Sequence, residues 1–180
     1  FLIEFLDNTL KTIDEIGKYD LTVLGIIPSI GNPVNFAKKK FFLWKNRSRD
    51  SGKLERRLIT REDPKSPVAE AYRSLRTNML YSSTKNIKSL LISSAGPGEG
   101  KTTTVANLAI TYANLGKRTL LVDTDLRRPV VHKVFGLNRE PGVTNYISGQ
   151  TNNHNELIKE TEIENLFVMT SGIIPPNPSE

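Results

Sequence analysis

No cysteine occurs among the 180 residues, which excludes disulfides and thiolate metal sites and is compatible with a reducing compartment. Histidine is almost as scarce. His132 and His154 stand far apart with no metal-ligand spacing around them, so both read as ordinary residues. No run of eighteen apolar residues is present, and the chain therefore contains no complete membrane-spanning helix. The five tyrosines, at 19, 72, 81, 112 and 146, are scattered and form no cluster. An initiating methionine is also missing. The opening Phe1-Leu2-Ile3-Glu4-Phe5-Leu6 reads as the continuation of a cropped segment rather than as a signal peptide. The length accommodates one domain with a core of its own plus an additional segment. The formal charge of +6 is moderate, and its distribution says more than its total.

What is present centres on Ser93-Ser94-Ala95-Gly96-Pro97-Gly98-Glu99-Gly100-Lys101-Thr102-Thr103. A compact apolar run, Leu90-Leu91-Ile92, precedes it, and a helical pattern over residues 105–115 follows. Strand, glycine-rich turn, Gly-Lys-Thr and helix is the order of a phosphate-binding P-loop. Glycines let the backbone curl until successive N–H groups face one concavity, and the helix start adds its partial positive end. On this reading Gly96, Pro97, Gly98, Glu99, Gly100, Lys101, Thr102 and Thr103 cradle the phosphates. Lys101 reaches the β- and γ-phosphates, and the Thr102 hydroxyl holds Mg²⁺. The first glycine of the usual pattern is replaced by Ala95, whose methyl requires a negative φ.

Ahead of the loop the chain divides into three. Residues 1–16 place Ile3, Leu6, Leu10, Ile13 and Ile16 at helical spacing, and Leu21 to Ile27 is a short apolar run closed by Pro28. Residues 36–61 hold ten basic side chains against Asp50 and Glu55, with Phe41, Phe42, Leu43 and Trp44 among them. Three readings compete for this stretch: a solvated linker, a membrane-surface contact at about 1 kcal/mol per basic residue, and a nucleic-acid contact. No nucleic-acid module accompanies the charge, so the membrane surface ranks above nucleic acid. Ser66 and Pro67 then cap a helix whose apolar stripe is Val68, Tyr72, Leu75 and Met79. Glu70, Arg73 and Arg76 lie beside that stripe. Surface ion pairing and contact with another subunit both account for them.

Beyond the upstream helix, residues 89–94 read as a first strand buried on both faces. The P-loop helix is expected to bury Val105, Leu108, Ala109, Tyr112 and Leu115, with Gly116 as its cap. Thr119-Leu120-Leu121-Val122 is a second strand, and the long crossover implies a parallel sheet. It ends in Asp123-Thr124-Asp125-Leu126-Arg127-Arg128. Ligands of open α/β sheets sit beyond the strands' carboxyl ends, so the two carboxylates are expected to face bound phosphates. A polar turn capping the next helix is the alternative. Residues 143–147 suit a short helix, 152–160 an exposed polar segment, and 166–169 a third strand. Ser171-Gly172 and Pro175-Pro176-Asn177-Pro178 form a stiff loop at its end.

These motifs together resemble those of the bacterial tyrosine kinases (BY-kinases) of capsule and exopolysaccharide export. The P-loop of residues 95–102 matches. So does a Walker A′ motif, Leu120-Leu121-Val122-Asp123-Thr124-Asp125-Leu126-Arg127. Glu70, Arg73 and Arg76 match the family's Glu-x-x-Arg-x-x-Arg assembly motif, and residues 1–28 resemble the end of a polysaccharide co-polymerase membrane domain. The resemblance implies an α/β P-loop NTPase-type parallel sheet flanked by helices, ending before its Walker B strand. It divides the chain into a juxtamembrane segment (1–35), a basic linker (36–64) and the first part of a kinase domain (65–180). It further implies ATP-dependent transfer of γ-phosphate to tyrosines of its own tail, in trans within a homo-oligomeric ring. Lys101, Asp123 and Asp125 would be catalytic, with Thr102 and Asp125 at Mg²⁺. Expected partners are the polysaccharide export machinery and a tyrosine phosphatase. The expected place is the cytoplasmic face of the inner membrane, behind a span preceding residue 1, with no nucleic acid involved. The Walker B aspartate and the tyrosine cluster are expected after Glu180, so this piece alone is expected to be inactive. Partitioning and division-site ATPases are the nearest alternative, but they carry a lysine where this chain has Gly96. A non-catalytic nucleotide-binding assembly module is the third reading.

Overall fold

A computed structural model describes residues 16–19, 21–28, 58–82 and 87–178. The helix expected over residues 1–16 and most of the basic stretch lie outside the described residues. Among the described residues the elements named here are, in order, α1 (Ile59–Glu62), α2 (Pro67–Ser82), α3 (Lys101–Ala113), β1 (Thr119–Val122), α4 (Val131–Val134), α5 (Val143–Ile147), α6 (His154–Leu157), β2 (Ile158–Glu160) and β3 (Leu166–Met169).

Helix α2 starts where Ser66 and Pro67 say it should. Ser66 Oγ accepts the Ala69 N–H at 3.2 Å, and proline fills the first helical position, where no N–H is needed. Its inward face carries Ala69, Tyr72 and Met79, with Val68 and Leu75 half-buried. The Leu24 carbonyl accepts from Asn78 Nδ2 at 2.8 Å, which lays the 21–28 stretch against this helix.

Helix α3 buries Ala106, Leu108, Ala109, Ile110 and Ala113. Three of these five are alanines, whose small side chains permit close approach to the sheet. Val105 and Tyr112, expected inside, are half-buried, and Leu115 is 48% exposed. The helix ends at Ala113 and Gly116 turns left-handed (φ 74°), so Leu115 falls beyond the helical period.

The three strands form one sheet in the order β1-β3-β2. β1 and β3 pair in parallel, Thr119 opposite Leu166 through Val122 opposite Met169. β2 is antiparallel to β3, which makes the sheet mixed rather than wholly parallel as expected. Segment 152–160 is correspondingly less exposed than its polarity suggests, because Leu157 is buried at 1% and β2 pairs along the edge. The core joins Ala106, Ile110 and Ala113 of α3 to Leu121, Leu166 and Val168 of the sheet, with Leu58 and Val131 closing its ends.

The largest departure concerns residues 89–94. They are extended, but no ladder partner is found for them among the described residues, and Leu91 is 84% exposed. A continuous apolar run reports a need for burial on both faces without identifying the neighbour that supplies it. The paired edge of β1 faces β3, so it leaves this run without a bond from that side.

One glycine is fixed by sterics rather than by conformation. A Cβ at Gly142 would lie 2.2 Å from the Thr170 carbonyl oxygen. That approach lets Val143 N–H bond Thr170 O at 2.8 Å and Thr144 N–H bond Ser171 O at 2.9 Å, fastening the start of α5 to the loop after β3. Among the described residues no helix is long and apolar enough to cross a membrane.

Candidate nucleotide-binding site

The extended run 87–94 delivers the chain into the loop at residues 95–100. Gly98 (φ 82°) and Gly100 (φ 95°) occupy the left-handed region, where a side chain is strained whatever the space around it. A Cβ at either would meet nothing within 4 Å, so the loop is open on that side. Ala95 meets the condition its methyl imposes, since Asn165 is the sole non-glycine residue with positive φ among those described. Helix α3 begins at Lys101, and its first bond runs from the Thr104 N–H to Gly100 O at 2.8 Å. The amides of Lys101, Thr102 and Thr103 precede that bond and lack intrahelical acceptors, as first-turn amides do. A concavity lined by such donors suits phosphate.

Lys101 folds back over the loop: Nζ donates to Ser94 Oγ at 2.9 Å and to Gly96 O at 3.0 Å. Glu99 shares this neighbourhood. Its carboxyl is held below the ordinary carboxylate range, chiefly by the backbone bond from Gly96, then by the Ser94 hydroxyl and the Lys101 charge. Sequence patterning had singled out Glu99 only as a loop position, and Ser94 not as a partner of Lys101.

Asp123 ends β1. Its N–H extends the ladder to Met169 O at 2.9 Å, and the residue is 5% exposed. Oδ1 accepts the Asp125 N–H and Oδ2 the Val131 N–H, both at 3.2 Å. Burial pushes its carboxyl above the ordinary range, with the bonds from Asp125 and Val131 opposing. Asp125 is exposed, and its Oδ1 accepts from the Arg127 and Arg128 amides at 3.2 and 2.9 Å. The polar-turn alternative thus describes part of the pair's work: both carboxylates brace the turn that leads into α4.

The loop residues Ser94, Gly96, Glu99 and Lys101 come together, as do Asp123 and Asp125. Among the described residues no hydrogen bond or ion pair joins the carboxylate pair to Lys101. Glu70 and Arg73 form an i, i+3 ion pair at 2.7 Å, and Arg73 also bonds Pro64 O at 2.8 Å. Arg76 crosses to α3, donating to Thr111 O at 2.7 Å. His132 sits near Asp123 with Nδ1 buried and without a partner among the described residues. Burial, then Lys133 and Arg139, hold its pKa below the ordinary value.

Thr102 carries a hydroxyl and Asp125 a carboxylate, hard oxygen donors of the kind that suit Mg²⁺. An open groove of about 760 Å³ lies elsewhere, on the sheet face by Leu120, Ile158 and Phe167, with Arg118 over the Phe167 ring at 5.5 Å. No P-loop residue lines it, and donor chemistry rather than cavity size marks the site.

Residues 87–174 match a family model described as an AAA domain. The chain is 42% identical over 139 residues to the tyrosine-protein kinase YwqD of Bacillus subtilis (strain 168), covering 77% of this chain and 57% of that one. Among solved structures it is similar to the chimerical protein CapA2B2 (36% identity, TM-score 0.73), covering 93% of this chain and 62% of that one. It is also similar to the kinase domain of the Escherichia coli tyrosine kinase ETK (26% identity, TM-score 0.73), covering 95% and 64%. The chain thus spans a little over half the length of YwqD. Its P-loop, its Asp123–Asp125 turn and these likenesses agree: the chain belongs to the bacterial tyrosine kinase family of P-loop proteins.

Proposed function

We propose that this chain is the nucleotide-binding part of an ATP-dependent protein-tyrosine autokinase that regulates polymerisation or export of a capsular or extracellular polysaccharide. The observation that carries the reading is the P-loop itself, with Gly98 and Gly100 left-handed and Lys101 at the start of a thirteen-residue helix. Residues 96–103 wrap the phosphates, all but Pro97 with a backbone N–H to donate, and Lys101 leaves Ser94 and Gly96 to pair with the terminal phosphate. Mg²⁺, held by Thr102 and Asp125, would neutralise charge on the phosphate oxygens as they are transferred. Asp123 orients the acceptor tyrosine hydroxyl and takes its proton. Burial raises its pKa, in the direction that suits a base working nearer neutrality.

The wider setting belongs to the same proposal. The acceptor tyrosines are those of the protein's own tail, phosphorylated in trans in a ring whose contacts include Glu70, Arg73 and Arg76. The protein works at the cytoplasmic face of the inner membrane, where residues 1–35 continue a co-polymerase domain. A tyrosine phosphatase reverses its product. The names of relatives such as YwqD, a tyrosine-protein kinase, support the activity.

Transfer of radiolabel from ATP to tyrosine in the full-length protein tests the reading, with Lys101→Ala as control. Loss of a phosphate-facing charge should weaken ATP binding by about 2–5 kcal/mol and abolish labelling. Unchanged affinity and labelling would overturn the site. Tight ATP binding without any tyrosine labelling in the wild type would favour the non-catalytic assembly module instead.

A further inference from the structure

The protein's own carboxylate lies against the phosphate loop at Gly96. Glu99 Oε1 lies 3.1 Å from where a Cβ on Gly96 would stand, so the exposed side chain bends back toward the loop. The Gly96 backbone, then the Ser94 hydroxyl and the Lys101 charge, hold its carboxyl below the ordinary range, while the Ser94 hydroxyl itself donates to Gly96 O at 2.9 Å. Lys101 is tied to Ser94 Oγ and Gly96 O, so the ammonium and the carboxylate both reach Gly96. A carboxylate, a hydroxyl and an ammonium therefore converge on Gly96.

We propose that Glu99 is an internal anion that competes with phosphate for the loop and swings out when the phosphates of a nucleotide enter. The inference rests on the P-loop reading and deepens it, by naming the group with which the ligand competes. Two anions cannot share one concavity without strong mutual repulsion. Glu99 and phosphate also make rival claims on Lys101, which has a single charge to give. Binding is thus an exchange of one anion for another. The apparent affinity is lowered by the fraction of molecules in which the carboxylate is in place. Position 99 sets how tightly the loop holds nucleotide, while Gly98 and Gly100 set whether it can. The ligand class follows from the chemistry: a polyphosphate, which brings more charge and more acceptors than the carboxylate it displaces.

The experiment is a competition titration of a fluorescent ADP analogue with ATP in the full-length protein, comparing wild type with Glu99→Ala and Glu99→Asp. Alanine removes the internal anion. Aspartate keeps the charge but is one methylene too short to reach back over the loop. Glu99 is exposed, so neither change threatens the fold. Both variants should bind ATP roughly 3- to 10-fold more tightly than wild type, as expected when a competing state is removed. Tightening in Glu99→Ala alone, with Glu99→Asp at the wild-type value, would reduce the effect to bulk charge and overturn the contact. Unchanged or weaker binding in both would overturn it as well. Absence of nucleotide binding in wild type and variants alike would instead overturn the P-loop reading, so the two failures are distinguishable.

Discussion

Thr60 donates twice to one atom of Asn107: its backbone N–H reaches Oδ1 at 3.0 Å and its hydroxyl at 2.9 Å. Both residues are buried, Asn107 completely. Asn107 Nδ2 turns the other way and donates to Thr103 O at 2.9 Å, one residue past Thr102. The turn of α1 is thereby fastened to the P-loop helix through one side chain. Removing that side chain strands a buried N–H, which costs about 1–3 kcal/mol, whereas losing only the hydroxyl bond costs about 0.5–1.5. Asn107→Ala should therefore lower unfolding free energy in urea more than Thr60→Val does. The reverse order would mean that the amide bond is not what holds α1 in place.

Arg73 and Arg76 are one helical turn apart and should behave differently. Arg73 pairs with Glu70 on an exposed face, a contact worth about 0.3–0.5 kcal/mol. Arg76 bonds a backbone carbonyl of the neighbouring helix, and its Nε is buried without a partner among the described residues. Bonds from charged donors are worth about 1.5–3 kcal/mol. Arg73→Glu should leave the fold intact while reducing assembly size by analytical ultracentrifugation. Arg76→Ala should lower stability by itself. An unchanged assembly in Arg73→Glu would return Glu70 and Arg73 to plain surface pairing.

Which features were legible in the sequence follows from where their causes lie. Ser66-Pro67, Gly98, Gly100 and the apolar stripe of α2 act locally, through a cap, a φ angle or a helical period, and each appears where it was read. Residues 89–94 depend on a neighbouring strand, and hydropathy does not name one. Leu157 became buried, and β2 was paired, because β3 offered an edge, which no property of the polar segment 152–160 foretells. At the site, the spacing of Asp123 and Asp125 was visible, but their unequal burial was not. That difference arises from Val131 and Met169, both distant from the pattern Asp-x-Asp. Asn107 was unreadable for a like reason, since its partner Thr60 is 47 residues away.

Gly142 offers a steric test. Alanine there would place a methyl 2.2 Å from Thr170 O and 2.4 Å from the Gly172 nitrogen, both backbone atoms that cannot rotate aside. Overpacking of this kind costs about 1–3 kcal/mol or more. Gly142→Ala should destabilise the protein accordingly, and more than Gly17→Ala, where a Cβ meets nothing within 4 Å. Equal melting temperatures for the two variants would show that α5 and the 170–172 loop separate freely.

Asp123 gives the protein a pH dependence of definite sign. Burial raises its folded pKa above the ordinary 3.8, so the folded state binds more protons than the unfolded state between those two values. Stability then falls as pH rises from the ordinary value through the raised one. Asp123→Asn abolishes this titration, at the cost of one acceptor and about 1–3 kcal/mol. The other titrating groups are common to both proteins and largely cancel in the difference. The wild-type advantage over Asp123→Asn should therefore shrink as pH climbs, when unfolding free energies are measured in urea from about pH 3 to pH 8. An advantage that grows with pH would mean that the Asp125 and Val131 amides outweigh burial. Asp123 would then be an ordinary low-pKa carboxylate, poorly suited to take a proton from tyrosine.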